Sequence, residues 1–355
     1  MKAPAPTIPA HGAANLPAVQ VLAYNAELQD EEGYIGDRAS RRAFQAILDD
    51  WRDQLRRTGD DPFGKRSTEQ IGKRTLEKAL ARGSIESAGL VLSAIEEFAQ
   101  ELAMVCRRLL RLKTWQNVER IAVGGGFRGG RIGELAIGRA AVLLKTGGRD
   151  VTLQPIHHAP DEAGLIGAVH LMPEWMFAGH DAIMGVDIGG TNIRVGVVAL
   201  GSSTKPILSD ASVLKSEIWR HADETPKRDE AVERIAGILR TLIHWAERKG
   251  KTLAPFIGIG CPGIIGEDGA IERGGQNLPG NWESSRFHLP TQIRERMPEI
   301  GGHPAAVLLH NDAVAQGLSE LPWMQDVKSW GVLTIGTGLG NASFSNSVSD
   351  PGSRQ

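Results

Sequence analysis

Apolar residues recur along this chain with two periods that alternate. Ala43, Phe44, Ile47, Leu48, Trp51 and Leu55 fall at three- and four-residue steps and predict a helix beginning near Asp37. The polar stretch Arg57–Gln70, with Gly59, Pro62 and Gly64, predicts a loop. A longer stripe, Ala88, Val91, Leu92, Ile95, Phe98, Leu102, Val105, Cys106 and Leu109, predicts a helix over Ser84–Leu112. The period then switches. Glu119–Val123 reads as a strand, Gly133–Lys145 as a helix, Val151–Ile156 as a strand, and Asp161–His170 as a further helix start. Residues 171–182 interrupt the pattern and predict a linker.

The second half repeats the alternation. Ile183–Asp187 and Arg194–Ala199 flank Gly189-Gly190 as a hairpin, and Asp229–Arg248 is an amphipathic helix. Phe256–Gly260 and Ala306–Leu309 are apolar strands; a helix over Ala313–Leu321 and a strand over Gly331–Ile335 complete the pattern. Strands alternating with helices throughout predict an α/β fold. Residues 1–18 carry four prolines and little periodicity, and predict a flexible arm.

Composition narrows the class. At 355 residues and 41% hydrophobic, the chain can build two lobes with separate cores. A formal net charge of −2 gives no global attraction to nucleic acid or to an anionic membrane. No apolar run approaches the ~20 residues that span a bilayer, and residues 1–20 lack the continuous apolar core of a secretory signal. Cys106 and Cys261 are too few for a disulfide framework or a cysteine zinc site, so a cytoplasmic setting is expected. The basic cluster Arg107, Arg108, Arg111 and Lys113 reads as a solvated face, with an anion site as the alternative.

Candidate chemistry sits at strand ends. In GVDIGGTN an apolar strand delivers Asp187 beside Gly189, Gly190 and Thr191; glycines admit phosphate oxygens to backbone N–H groups, and Thr adds a hydroxyl. Asp187 can orient Mg²⁺ through its water shell. An ordinary hairpin turn is the competing reading. LTIGTGLG repeats the device with Gly336, Thr337 and Gly338. A third cluster, Gly124, Gly125 and Gly126 in AVGGGFRGG, matches neither a Walker loop nor a dinucleotide fingerprint and reads as a bed for an adenine ring. Asn311-Asp312 ends a buried strand. Asp312 either accepts a proton from a hydroxyl that attacks a γ-phosphate, or merely caps the following helix.

Together these pieces resemble the ROK family (repressor, open reading frame, kinase), which includes bacterial glucokinases. DIGGTNIRVGVV resembles its first phosphate motif, GIGCPGIIGEDGAI its GxGxPG segment, GQNLPGNW its NLPxW segment, NDAVAQGLSE the block with its catalytic aspartate, and LTIGTGLG its second phosphate motif. The resemblance covers residues 183–345 well and about 35–172 loosely. It implies a two-lobed actin-like (ribonuclease H-like) ATPase fold and ATP-dependent phosphorylation of a hexose or amino sugar with Mg²⁺. In that frame Asp312 is the general base. Asn311, Asn277 and Gly263 lie at the sugar, the two Gly-Thr loops hold phosphate, and Gly124–Gly126 hold adenosine.

The order departs from the family's. VERIAVGGGFRGG and APDEAGLIGAVHL, which resemble the family's C-terminal half, precede DIGGT here, so the resemblance implies a circular permutation. The expected organisation is an arm (1–18), a large-lobe part with the GGG loop (19–172), a linker (173–182), a small lobe (183–322), a strand with the second phosphate loop (323–345) and a tail (346–355). A helix-turn-helix ahead of the body, as in the family's repressors, is not expected. The family's GExGH segment and CxCGxxGC zinc site are missing, so zinc is not expected. Glu27, Glu31, Glu32 and His11 are stand-ins for the sugar-binding Glu and His that no spacing supports. His157-His158, adjacent on a strand, point to opposite faces and make a poor metal pair. A catalytically silent sugar or nucleotide binder is the alternative function, and the resemblance admits a homodimer.

Overall fold

The computed structural model describes residues 8–31, 33–201 and 208–346. In chain order it begins with β1 (Val19–Tyr24), a short hairpin of β2 (Gln29–Asp30) and β3 (Gly33–Tyr34), and helices α1 (Arg41–Thr58), α2 (Lys73–Arg82) and α3 (Ile85–Leu109). Next come β4 (Arg120–Gly124), α4 (Arg131–Thr146), β5 (Thr152–Pro155) and the short α5 (Ala163–Gly167). The remainder opens with β6 (Ala182–Ile188), β7 (Ile193–Ala199), β8 (Ser212–Trp219), α6 (Arg228–Arg248) and β9 (Leu253–Cys261). β10 (Ile264–Ile265), β11 (Ile271–Arg273), α7 (Leu289–Arg296), β12 (Glu299–Ile300) and β13 (His303–Pro304) follow. β14 (Ala306–Asn311), α8 (Asp312–Leu318), β15 (Ser329–Ile335) and β16 (Leu339–Asn346) close the description.

Two five-stranded sheets carry this α/β fold, with orders β14-β9-β6-β7-β8 and β1-β16-β15-β4-β5. In the first, β6, β7 and β8 form an antiparallel meander, while β9 and β14 run parallel to β6. In the second, β4 and β5 are parallel, and β1 pairs antiparallel with β16 from Val19↔Asn346 to Tyr24↔Ala342. The first described strand thus lies beside the last.

The described residues divide into two compact units, one of residues 8–25, 157–332 and 341–346, the other of residues 26–156 and 333–340. These limits differ from the expected ones. Residues 157–172 join the first unit because α5 packs on β6, β7, β9 and α8, and no boundary falls at the 173–182 linker, where residues 174–177 form a 3₁₀ turn. The tail after Asn346 and Glu32 lie outside the described residues.

In the second unit α3 is the central helix. Ser84 caps it by accepting from the Ser87 N–H, and Val91, Phe98, Leu102 and Cys106 are fully buried against α1, α2 and α4. Each such side chain removed from water contributes ~1.5–3 kcal/mol. Arg52 is buried and organises the predicted 57–70 loop: it pairs with Asp61 at 2.8 Å and donates to Thr68 Oγ1 and the Arg66 carbonyl. Arg107 ties α3 to the Leu143 carbonyl of α4, whereas Arg108, Arg111 and Lys113 are exposed, as a solvated face requires.

The flexible arm needs correction for residues 8–18. β14 is an edge strand, and an unpaired edge attracts backbone partners. Gly12 N–H donates to the Leu309 carbonyl at 3.0 Å, Leu309 N–H donates to His11 Nδ1 at 3.1 Å, and Leu16 is buried. Among the described residues no helix is long and apolar enough to cross a membrane.

Candidate active site

β6 is buried along its whole length, yet its sixth residue is Asp187. The register sets Asp187 opposite Arg194 on β7 and Gly260 on β9. Arg194 Nη1 lies 3.3 Å from Asp187 Oδ2, and the same guanidinium reaches Asp161 at 2.7 Å. Asp187 Oδ1 is buried with no hydrogen-bond partner. Gly164 makes room for it: a Cβ there would stand 2.5 Å from Asp187 Cγ. Burial pushes the carboxyl above its ordinary pKa, and Arg194 opposes the shift. An orphaned carboxylate oxygen of this kind fits a hydrated cation, since burial without a partner is costly.

The turn that follows is pinned from behind. Gly189 N–H donates to the Asn192 carbonyl at 2.9 Å, His221 Nε2 lies 2.8 Å from the Gly189 carbonyl, and Ala222 N–H donates to Thr191. Gly190 packs closely on Asn277: a Cβ there would sit 3.1 Å from Asn277 Cβ. The structure therefore brings Gly190 and Asn277 together, and both line a cavity with His221, Thr225, Pro226 and Leu278. Thr225 holds a φ of 43°, unusual for a β-branched residue and a mark of strain.

At the end of β14 the two readings of Asn311-Asp312 separate. Asn311 is the N-cap of α8: its Oδ1 accepts from the N–H groups of Ala313 (2.9 Å) and Val314 (3.2 Å). Its Nδ2 donates to the Gly263 carbonyl at 3.0 Å. The capping role considered for Asp312 thus belongs to its neighbour, whose Oδ1 and one Nδ2 hydrogen are engaged within the protein. Asp312 occupies the first helical position with a partly exposed side chain. Desolvation, with the Asp187 charge second, pushes its pKa up to about 7. Cys261, opposite Asn311 in the sheet, is buried, and its thiol is pushed far up by burial and the same two carboxylates. Gly263 turns at φ 107°, where a side chain would run into the Arg273 carbonyl.

All these residues belong to the first unit. The others predicted from sequence lie in the second and form a group of their own. Gly125, at φ 83°, leaves no space for a side chain against the Ile335 backbone; Phe127 N–H donates to the Ile335 carbonyl. This sets the Gly124–Gly126 loop beside the start of the Gly336–Gly338 turn, which closes through Gly336 N–H to the Gly338 carbonyl at 2.9 Å.

Sequence reasoning missed several residues. His221, Tyr24 and His310 hold the site's backbone, and only a fold could assign them. The stand-ins fare poorly. His11 spends Nδ1 on Leu309, and Glu27 and Glu31 lie by the β2–β3 hairpin of the second unit. His157 binds buried Glu320 through both its N–H (2.8 Å) and Nδ1 (2.6 Å) and stacks on Trp323, a structural role. Among the described residues no cluster of three His, Cys, Asp or Glu can hold a metal ion.

Comparison with known proteins adds a family. Residues 183–354 match the model of the ROK family. The glucokinase of Thermotoga maritima is 29% identical over 161 residues, covering 44% of this chain and 43% of its own length. The chain thus spans less than half of the curated relative it matches. Among solved structures, the ROK hexokinase from Thermus thermophilus is 29% identical over 45% of each chain, with a TM-score of 0.31. A ROK family glucokinase from Streptomyces griseus, solved in complex with glucose and AMPPNP, is 24% identical over 45% of this chain and 43% of its own, with a TM-score of 0.33.

Proposed function

We propose, from the match of residues 183–354 to the ROK family model, that this chain is an ATP-dependent sugar kinase acting on a hexose or amino sugar, with Asp312 as general base. One observation carries the reading. Asn311 takes the helix cap, so Asp312 is left at a strand end with a carboxyl titrating at about 7, where a base for a hydroxyl proton works best.

In this reading a sugar hydroxyl approaches Asp312, gives up its proton to the carboxylate and attacks the γ-phosphorus in line, and the bond to the β,γ-bridging oxygen breaks to release ADP. Asn311 and Gly263, joined by their hydrogen bond, form the wall that orients the sugar, with Asn277 beside it. Within the first unit the N–H groups of Gly190 and Thr191 are the phosphate donors, with Gly189 shaping their turn; within the second, the Gly336–Gly338 turn is the phosphate candidate and Gly124–Gly126 the adenosine candidate. Asp187 would hold Mg²⁺ through water, its orphan Oδ1 supplying the acceptor. Bound Mg²⁺ neutralises charge on the phosphates. Placing the family's C-terminal half ahead of its N-terminal half is part of the same proposal, supported by the adjacency of β1 and β16.

Sugar-dependent ADP release across a panel of hexoses and amino sugars tests the function, with Asp312→Ala as the control. Turnover on at least one sugar well above the control supports it; none on any sugar favours a silent binder.

A further inference from the structure

The segment His11–Tyr24 touches two elements of the proposed sugar site and braces both. The first is β14. Ala13 accepts a hydrogen bond from His310 Nε2 (3.1 Å), while His310 Nδ1 accepts from the N–H of Asn311 (2.7 Å). His310 is fully buried, and burial lowers its pKa to about 4, so it stays neutral with its proton on Nε2. The ring of Tyr24 meets it edge-on at 5.5 Å. The second element is the turn after β9. Tyr24 Oη accepts from Ile265 N–H (3.2 Å) and faces the Ile265 carbonyl at 3.4 Å. Gly12, at φ 58°, packs so closely on Ile265 that any Cβ would strike its carbonyl. Asn311 and Gly263, the residues joined across these two elements, are the wall assigned to the sugar.

Resting on the sugar-kinase reading, we infer that Tyr24 and His310 are positioning residues for the sugar, through which the segment His11–Tyr24 holds Asn311 and the Gly263 turn at their working separation. The phosphate hairpin has its own brace, since His221 and Ala222 bind Gly189 and Thr191. Loosening the Tyr24 brace therefore acts on sugar and leaves the nucleotide alone.

Steady-state kinetics of the full chain and of Tyr24→Phe, which deletes one oxygen and keeps the ring against His310, test this. One hydrogen bond of ~0.5–1.5 kcal/mol corresponds to a rise of roughly 2–12-fold in sugar KM. The expected result is a sugar KM raised about fivefold in that range, with the ATP KM within twofold of the parent. Gly12→Ala, which pushes the segment off Ile265 by a different route, should give the same split. A sugar KM within twofold of the parent in both variants overturns the inference, as does an equal rise in both KM values, the mark of general loosening. If the parent chain turns over no sugar, the kinase reading fails and takes this inference with it; if it does and only the split is missing, this inference alone fails.

Discussion

Asn311 Nδ2 donates to the carbonyl of Gly263 at 3.0 Å, joining the end of β14 to the turn after β9. The same residue caps α8 with its oxygen, so one buried amide fixes a strand, a turn and a helix start. Asn311→Ala removes all three bonds and leaves a buried carbonyl and two helix N–H groups without partners. The expected cost is about 2–4 kcal/mol, measured as a lower urea midpoint.

Asp312 and Asp187 make the site pH-dependent. A carboxyl whose folded pKa lies above its unfolded one binds protons more tightly in the native state between those two values. Its ionisation therefore costs stability as pH rises, from about 4 through about 7 for Asp312. Asp312→Asn should melt higher than the parent at pH 8, by roughly 2–4 °C, and should lose that advantage towards pH 4. Activity runs the other way. If Asp312 is the base, kcat/KM in the parent rises with pH through about 7 as the carboxylate forms.

Asp187→Asn keeps the shape of the side chain and removes its charge beside Arg194. With Asp187 as the anchor of hydrated Mg²⁺, the variant should need a several-fold higher Mg²⁺ concentration for half-maximal rate, while circular dichroism shows an unchanged fold. An unchanged Mg²⁺ dependence assigns the metal elsewhere.

Gly125→Ala probes the second unit. A residue with a side chain at φ 83° is strained, and its Cβ would meet the Ile335 backbone. The two effects together should destabilise the chain by about 2–4 kcal/mol, read by denaturant unfolding.

Much of this was legible in the sequence wherever an apolar period was strong. The stripes on α3 and α6, and the buried strands β6, β9 and β15, stood out because burial demands such runs. β8 was hidden because seven of its eight residues are exposed or half-exposed, as an edge strand allows, so no buried apolar alternation marks it; β1 was hidden because its partner, β16, lies more than 300 residues away in the chain. α2 was masked by a loop reading of the stretch before it. At the site, Asp187 and Asp312 were visible as acidic residues ending apolar strands. Which of Asn311 and Asp312 caps α8 was not, because both are good cap formers and backbone geometry alone decides. His221 and Tyr24 act on backbone atoms distant in sequence, at Gly189 and Ile265, and no local pattern announces such bonds.

The central claim is that Asp312 takes the proton of a sugar hydroxyl. The most direct measurement is kcat for sugar-dependent ADP release by the parent and Asp312→Asn at pH 8, with sugar and nucleotide binding to both followed by calorimetry. The account predicts a kcat lower by roughly 10²–10⁴-fold in the variant, with both ligands still bound at affinities within a few-fold of the parent. A variant that turns over within tenfold of the parent would contradict it.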